Sequence, residues 1–177
     1  MRLVWIDPGH GGEDRGNVEG EVTESNVAYW IALCLRCSLK WKGIEGRLTR
    51  WGRGDDVSIE NRMVGKGGAG AYISLHHRFD TQGARVYTGF AEGPGCSLSA
   101  EVSNRLRDAL SPHRVEEHRG GQAVLRQEVP AILVEISDKA EVLANNEQAV
   151  IIAEVLAEAL DAFLGSDAAW GTSLNTL

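Results

Sequence analysis

The chain has 177 residues, of which 43% are hydrophobic and 24% are charged, and its formal net charge is −7. This composition is typical of one folded globular domain and excludes an intrinsically disordered chain. The negative charge argues against non-specific nucleic-acid binding, which depends on Lys and Arg contacts to phosphate. No apolar run reaches the roughly 20 residues that span a bilayer. We therefore expect no nucleic-acid partner and no stable membrane insertion.

The N-terminus and the cysteines bear on the compartment. The chain begins with a strand pattern instead of a basic segment followed by an apolar one, so we expect no signal peptide and synthesis in the cytoplasm. Three cysteines, an odd number, argue against a disulfide framework. Cys34 and Cys37 form a C-x-x-C inside a predicted helix, which favours ordinary helix residues over a redox or metal pair.

Strand and helix patterns alternate along the chain. Short apolar runs bounded by glycine, proline or polar residues predict strands at residues 3–6, 44–49, 71–75, 84–88 and 131–134. Apolar residues at three- and four-residue spacing predict helices near residues 23–42, 59–64, 99–110 and 146–164. The alternation predicts a three-layer α/β/α fold. Residues 14–22 are predicted to form a loop, residues 1–165 a single domain, and residues 166–177 a flexible tail.

Chemically apt side chains follow several of these strands. His10 stands in the glycine-rich turn after the first strand, His76 closes the strand at 71–75, and Glu135 closes the strand at 131–134. Ligands collect at the carboxyl ends of strands in open α/β sheets. Glu24 begins the first long helix, a position where the helix dipole also favours a carboxylate for structural reasons.

These four residues match the parts of a zinc hydrolase. Two histidines and one glutamate make a tetrahedral zinc set with one position left for water, and a further carboxylate serves as general base and acid. His10, Glu24 and His76 fill the ligand roles, and Glu135 fills the role of the base. Each histidine taken alone is also compatible with a structural role. A phosphate-binding loop at IDPGHGG is disfavoured because no lysine follows it.

Six short motifs occur in order along the chain. They are IDPGHGGEDRG (6–16), TESN (23–26), LTR (48–50), ENR (60–62), ISLHH (73–77) and VPAILVE (129–135). Together they resemble the zinc-dependent N-acetylmuramoyl-L-alanine amidases of type 3, which cut peptidoglycan, and the resemblance runs from about residue 2 to residue 164. It implies one Zn²⁺ per chain held by His10, Glu24 and His76, with Glu135 catalytic. It also implies hydrolysis of the amide between N-acetylmuramic acid and L-alanine, on a twisted mixed sheet of about six strands flanked by helices. We expect the chain to be a monomer.

The chain departs from the family pattern after the second histidine ligand. His77 and Arg78 replace the usual small residue and asparagine. Strand alternation points His77 away from His76, as a sheet-face residue, and the alternative is a substrate contact or a substitute ligand. Arg78 is a candidate for binding the stem-peptide carboxylates. We further expect Asp7 to accept a hydrogen bond from a ligand histidine.

Two other functions and the biological setting stay open at this point. The alternatives are a zinc peptidase that cuts within the stem peptide and a non-catalytic wall-binding module on the same fold. The expected absence of a signal peptide and of wall-binding repeats favours a phage endolysin. Such an enzyme acts at the cell wall or in the periplasm after release through a holin.

Overall fold

The computed structural model describes residues 2–63, 68–80, 83–89, 93–120, 125–126, 128–138 and 147–166. Within these ranges the chain forms, in order, β1 (Leu3–Pro8), β2 (Val18–Glu19), β3 (Val22–Thr23), α1 (Glu24–Trp41), β4 (Glu45–Leu48), α2 (Ile59–Met63), β5 (Ala71–Arg78), β6 (Gly83–Thr88), α3 (Pro94–Ala109), β7 (Arg114–Arg119), β8 (Ala131–Ser137) and α4 (Glu147–Leu164). The predicted helix residues 64 and 146, and the predicted tail from residue 167, lie outside the described residues.

Six strands form one mixed sheet with the order β4-β1-β5-β8-β6-β7. β4, β1, β5 and β8 are parallel, β6 is antiparallel to β8, and β7 is parallel to β6. α1 and α3 pack on one face of the sheet, and α4 packs against both. On the other face, Arg62 of α2 contacts Asp7 of β1. The predicted mixed sheet flanked by helices is therefore confirmed.

The first long helix begins and ends where the sequence predicts. The Thr23 side chain accepts a hydrogen bond from the Asn26 backbone N–H, so Thr23 is the N-cap. Gly43, just past the helix, has a φ of +69°, which a residue with a Cβ rarely adopts. The buried stripe that includes Ile31 and Leu35 packs on the main hydrophobic core.

Strand alternation divides the central strands between two environments. Ile73 and Val134 face the helices and belong to the main core, whereas Tyr72 and Leu133 belong to a smaller cluster. His76 lies four residues after Tyr72 and therefore shares the face of the smaller cluster. None of the helices in the described ranges combines the length and apolar character needed to cross a membrane.

The structure corrects several predicted boundaries. β5 and β8 continue to Arg78 and Ser137, so His76 and Glu135 lie inside strands instead of closing them. The predicted loop at residues 14–22 contains the short hairpin of β2 and β3. α3 begins at Pro94, earlier than predicted, and the edge strand β7 was not predicted. β7 lacks an apolar pattern because it is an edge strand whose side chains other than Val115 are polar and partly exposed.

Candidate active site

The turn after β1 places His10 at the carboxyl edge of the sheet. His10 has a φ of +60°, an uncommon conformation for a residue with a Cβ. Two buried arginines hold this turn through its carbonyl groups. Arg50 donates to the Pro8 and Gly9 oxygens at 3.1 and 3.3 Å, and Arg62 donates to the Pro8 oxygen at 2.7 Å and to the His10 oxygen. The strained conformation of His10 is therefore fixed by buried hydrogen bonds.

Three predicted ligand atoms converge in front of this turn. His10 Nε2 lies 3.0 Å from Glu24 Oε1, and His76 Nδ1 lies 2.8 Å from the same oxygen. The two imidazole rings are edge to face, with centroids 5.0 Å apart. The side chains come from the first turn, the start of α1 and β5, and the tertiary fold brings them together.

Glu24 is held in one orientation by its second oxygen. The Asn17 backbone N–H donates to Oε2 at 2.9 Å and the Asn17 side-chain amide at 2.7 Å, which leaves Oε1 for the histidines. Burial alone would raise the pKa of Glu24, but the hydrogen bonds with His10, His76 and Asn17 outweigh it and hold the pKa far below its usual value. Glu24 is therefore ionised, as a metal ligand must be.

The orienting partner of His10 is Asp14, not Asp7. Asp14 Oδ2 lies 2.9 Å from His10 Nδ1, an arrangement that fixes the ring and leaves Nε2 facing Glu24. The expectation for Asp7 is wrong, because its buried carboxylate accepts hydrogen bonds from Thr49, Arg62 and Ser74. Asp7 instead joins β1 to the neighbouring elements.

The donor set and its surroundings fit a zinc ion. Ligand atoms about 2.0–2.2 Å from a tetrahedral zinc lie about 3.3 Å from one another, close to the separations seen here. Among the described residues, His10, Glu24 and His76 form the group of metal-binding side-chain types that lie close enough together to hold one metal ion. Two glycines make room for it. A Cβ at Gly9 would lie 2.5 Å from His76 Cε1, and one at Gly16 would lie 2.6 Å from Glu24 Oε2.

Glu135 faces the same cleft. In the sheet register it pairs with His76 of β5 on one side and with Arg85 of β6 on the other, so the three side chains share a face. Arg85 Nη1 lies 3.1 Å from Glu135 Oε2, and the Tyr87 hydroxyl donates to that oxygen at 3.5 Å. A cleft of about 370 Å³ is lined by His10, Gly16, Asn17, Glu24, His76, Tyr87, Leu133 and Glu135.

The two residues that replace the family pattern lie in different places. The Arg78 side chain is 41% exposed beside the cleft, where Nε lies 3.1 Å from Asp80 and Nη1 lies 3.7 Å from Glu135. The His77 side chain is completely buried on the helix face, 4.7 Å from the Phe79 ring between centroids. His77 contacts the site through its backbone: its N–H donates to Glu24 Oε1 and its carbonyl oxygen accepts from the Asn17 side-chain amide at 3.4 Å. This placement favours a sheet-face role for His77.

His77 leads to a testable pH dependence of stability. Burial lowers its pKa to about 4, and neither ring nitrogen has a hydrogen-bond partner. The contribution of the neutral, buried His77 ring to the free energy of unfolding is complete above about pH 6.5, where the histidine of the unfolded chain is neutral. It is lost as the pH falls toward 4. We expect His77→Leu to lose less stability than the wild type on acidification, by on the order of 2 kcal/mol at about pH 5.

Urea unfolding in the presence of a chelator, followed by tryptophan fluorescence, measures this difference without interference from metal binding. His113 is exposed and provides the matched control. His113→Leu should follow the wild-type pH dependence, and parallel curves for His77→Leu and the wild type would contradict the prediction.

Several site residues were missed at the level of the sequence. Asp14 and Asn17 lie in the loop after the first histidine, and only their proximity to the motif pointed to a role. Arg85 and Tyr87 alternate on a predicted strand, and pairing that strand with the one carrying Glu135 would have indicated them. The sequence does not show that β6 pairs antiparallel with β8, so these two residues could not be placed beside Glu135.

Comparison with known proteins gives a consistent assignment. A family model described as N-acetylmuramoyl-L-alanine amidase matches residues 4–162. The N-acetylmuramoyl-L-alanine amidase AmiA of Salmonella typhimurium is 32% identical over 132 residues, which are 71% of this chain and 43% of AmiA. The chain spans less than half the length of the curated relatives that it matches.

Two solved structures have the same fold. The amidase AmiC2 of Nostoc punctiforme matches with a TM-score of 0.80 and 27% identity, over 93% of this chain and 98% of AmiC2. The catalytic domain of CwlV from Bacillus (Paenibacillus) polymyxa var. colistinus matches with a TM-score of 0.82 and 22% identity, over 93% and 98% of the two chains.

Proposed function

Because the chain belongs to the N-acetylmuramoyl-L-alanine amidase family, we propose that it hydrolyses the amide bond between N-acetylmuramic acid and L-alanine in peptidoglycan. One observation carries the proposal: the cluster of His10, Glu24 and His76 opens onto the same cleft as Glu135. In this proposal residues 1–165 are one catalytic domain that acts as a monomer on the bacterial cell wall.

The proposed cofactor is one zinc ion, held by His10 Nε2, Glu24 Oε1 and His76 Nδ1. Zinc bound there supplies Lewis-acid polarisation of the scissile carbonyl and lowers the pKa of water. Glu135 accepts the proton of the attacking water and returns it to the leaving alanine nitrogen. Asp14 and Asn17 keep His10 and Glu24 in place during the reaction.

Arg78 is the proposed contact for the stem peptide. Its guanidinium is half exposed at the edge of the cleft, and its Glu135 contact of 3.7 Å is too long for a hydrogen bond. Its 3.1 Å ion pair with Asp80 uses Nε, so the two terminal nitrogens can turn toward an ionised carboxylate of the peptide and bind it with two hydrogen bonds. The proposal therefore favours stem peptides with free carboxylates over amidated ones.

Digestion of purified cell wall tests the reaction. We expect released peptides that begin with L-alanine, and glycan fragments with intact muramyl lactyl groups, as measured by mass spectrometry. A chelator should abolish release and added zinc should restore it. Shortened peptides still attached to glycan would instead indicate a stem-peptide peptidase, and wall binding without product would indicate a non-catalytic module.

The setting is a separate part of the proposal. We propose host lysis by a phage, with release of the enzyme to the wall through a holin. The gene neighbourhood tests it: a holin-like membrane protein is expected next to this gene. Neighbouring sporulation or wall-recycling genes would contradict the lysis role without affecting the proposed reaction.

A further inference from the structure

Three side chains lie near one oxygen of the Glu135 carboxylate. Arg85 Nη1, the Tyr87 hydroxyl and Arg78 Nη1 lie 3.1, 3.5 and 3.7 Å from Oε2, in that order. Of the two arginines, only Arg85 is within hydrogen-bond distance. Within the described residues these contacts are all made to Oε2, which leaves Oε1 for the reaction.

Arg85 is in turn held by the edge strand. In the register of β8, β6 and β7, Glu135, Arg85 and Glu116 stand side by side, so the three side chains form a row across the sheet. Arg85 Nε lies 3.6 Å from Glu116 Oε2, and the same oxygen lies 2.9 Å from His118 Nε2. Arg85 thus stands between two carboxylates on neighbouring strands.

The edge strand supports this row at two further points. Arg114 Nε lies 2.8 Å from the other oxygen of Glu116. The His118 ring stacks on Tyr87 with centroids 5.1 Å apart, and Tyr87 contacts Glu135 itself. Glu116 and His118, two of the polar residues that left β7 without an apolar pattern, therefore contact the β6 side chains that in turn contact Glu135.

We propose that Arg85 is a positioning residue that orients Glu135, and that Glu116 of the edge strand orients Arg85. This inference rests on the proposed function, because it assigns Glu135 the proton transfer. Arg85 does not bind substrate in this arrangement: its side chain is 28% exposed, and its ion pair of hydrogen-bond length is with Glu135 itself. Arg78 is more exposed, at 41%, and its ion pair of hydrogen-bond length among the described residues is with Asp80 and not with Glu135, so Arg78 is the arginine proposed to contact substrate.

Steady-state kinetics of zinc-loaded variants separate the two arginines. We expect Arg85→Met to lower kcat by about 10- to 100-fold, as loss of an orienting partner does, with little change in KM. Arg85→Lys should recover part of kcat. Arg78→Met should raise KM with little change in kcat, and Arg105→Met, at an exposed pair between α3 and α4, should change neither. A raised KM for Arg85→Met at unchanged kcat would overturn the proposal.

A crystal structure of Arg85→Met gives a readout that does not depend on activity. We expect the Glu135 side chain to leave the orientation seen here, and to keep it in Arg78→Met. An unmoved Glu135 in Arg85→Met would overturn the inference even if the enzyme were active. If Arg85→Met failed to fold, Glu116→Gln would take its place, with a smaller loss of kcat expected. A wild-type protein that releases no peptide would refute the proposed function. This result differs from the kinetic and crystallographic results that would overturn the role of Arg85.

Discussion

Replacing Glu135 by glutamine is expected to lower kcat by about 1,000-fold or more, because general acid–base catalysis contributes about 10²- to 10⁴-fold. The amide keeps the size of the side chain and can still accept a hydrogen bond from Arg85, but it cannot take a proton from water. Zinc content should remain one ion per chain. The contacts of Glu135 are with Arg85, Tyr87 and Arg78, not with the proposed ligand atoms.

Glu154→Gln is the matched control, since Glu154 is exposed on α4. It should keep wild-type kcat, zinc content and melting temperature. Loss of zinc in Glu135→Gln would show that Glu135 is a ligand instead of the base. Near-normal turnover with zinc bound would show that another group moves the proton.

The parts of the site that the sequence predicts are those whose chemistry is unusual for their position. A histidine among glycines, or a glutamate after an apolar run, is costly to bury without a partner, so it stands out from the core pattern. The same polar side chains caused the ends of two strands to be predicted too early. β5 and β8 extend past His76 and Glu135, but the apolar pattern that predicts a strand stops before them.

Contacts between distant segments could not be predicted in the same way. Asp7 lies on the face of the sheet that carries the site, as its hydrogen bond from Ser74 shows. Asp7 nevertheless accepts a hydrogen bond from Arg62, 55 residues away in the chain, where a histidine donor was expected. The hydrogen bond of His10 goes instead to Asp14, in a loop without a periodic pattern. Which carboxylate hydrogen-bonds to His10 is thus decided by tertiary packing.

Two glycines in the segment between β1 and α1 allow the proposed metal site to be tested apart from the backbone. Gly16 and Gly20 have φ values of +63° and +61°, so an alanine strains both positions to a similar extent, by about 1 kcal/mol. The surroundings differ. A Cβ at Gly20 meets no atom within 4 Å, whereas one at Gly16 would lie 2.6 Å from both Glu24 Oε2 and His10 Cδ2.

Gly16→Ala is therefore expected to force His10 and Glu24 apart and to weaken zinc binding by about 100-fold, the upper end of the loss seen when a ligand's support is removed. Activity at limiting zinc should fall with it. Gly20→Ala should keep wild-type zinc affinity while losing a similar amount of stability to urea. Competition with a chromophoric chelator measures the affinities. Because the two variants share the backbone strain, equal zinc affinities would mean that Glu24 and His10 do not hold the metal together, whatever the activity of the wild type.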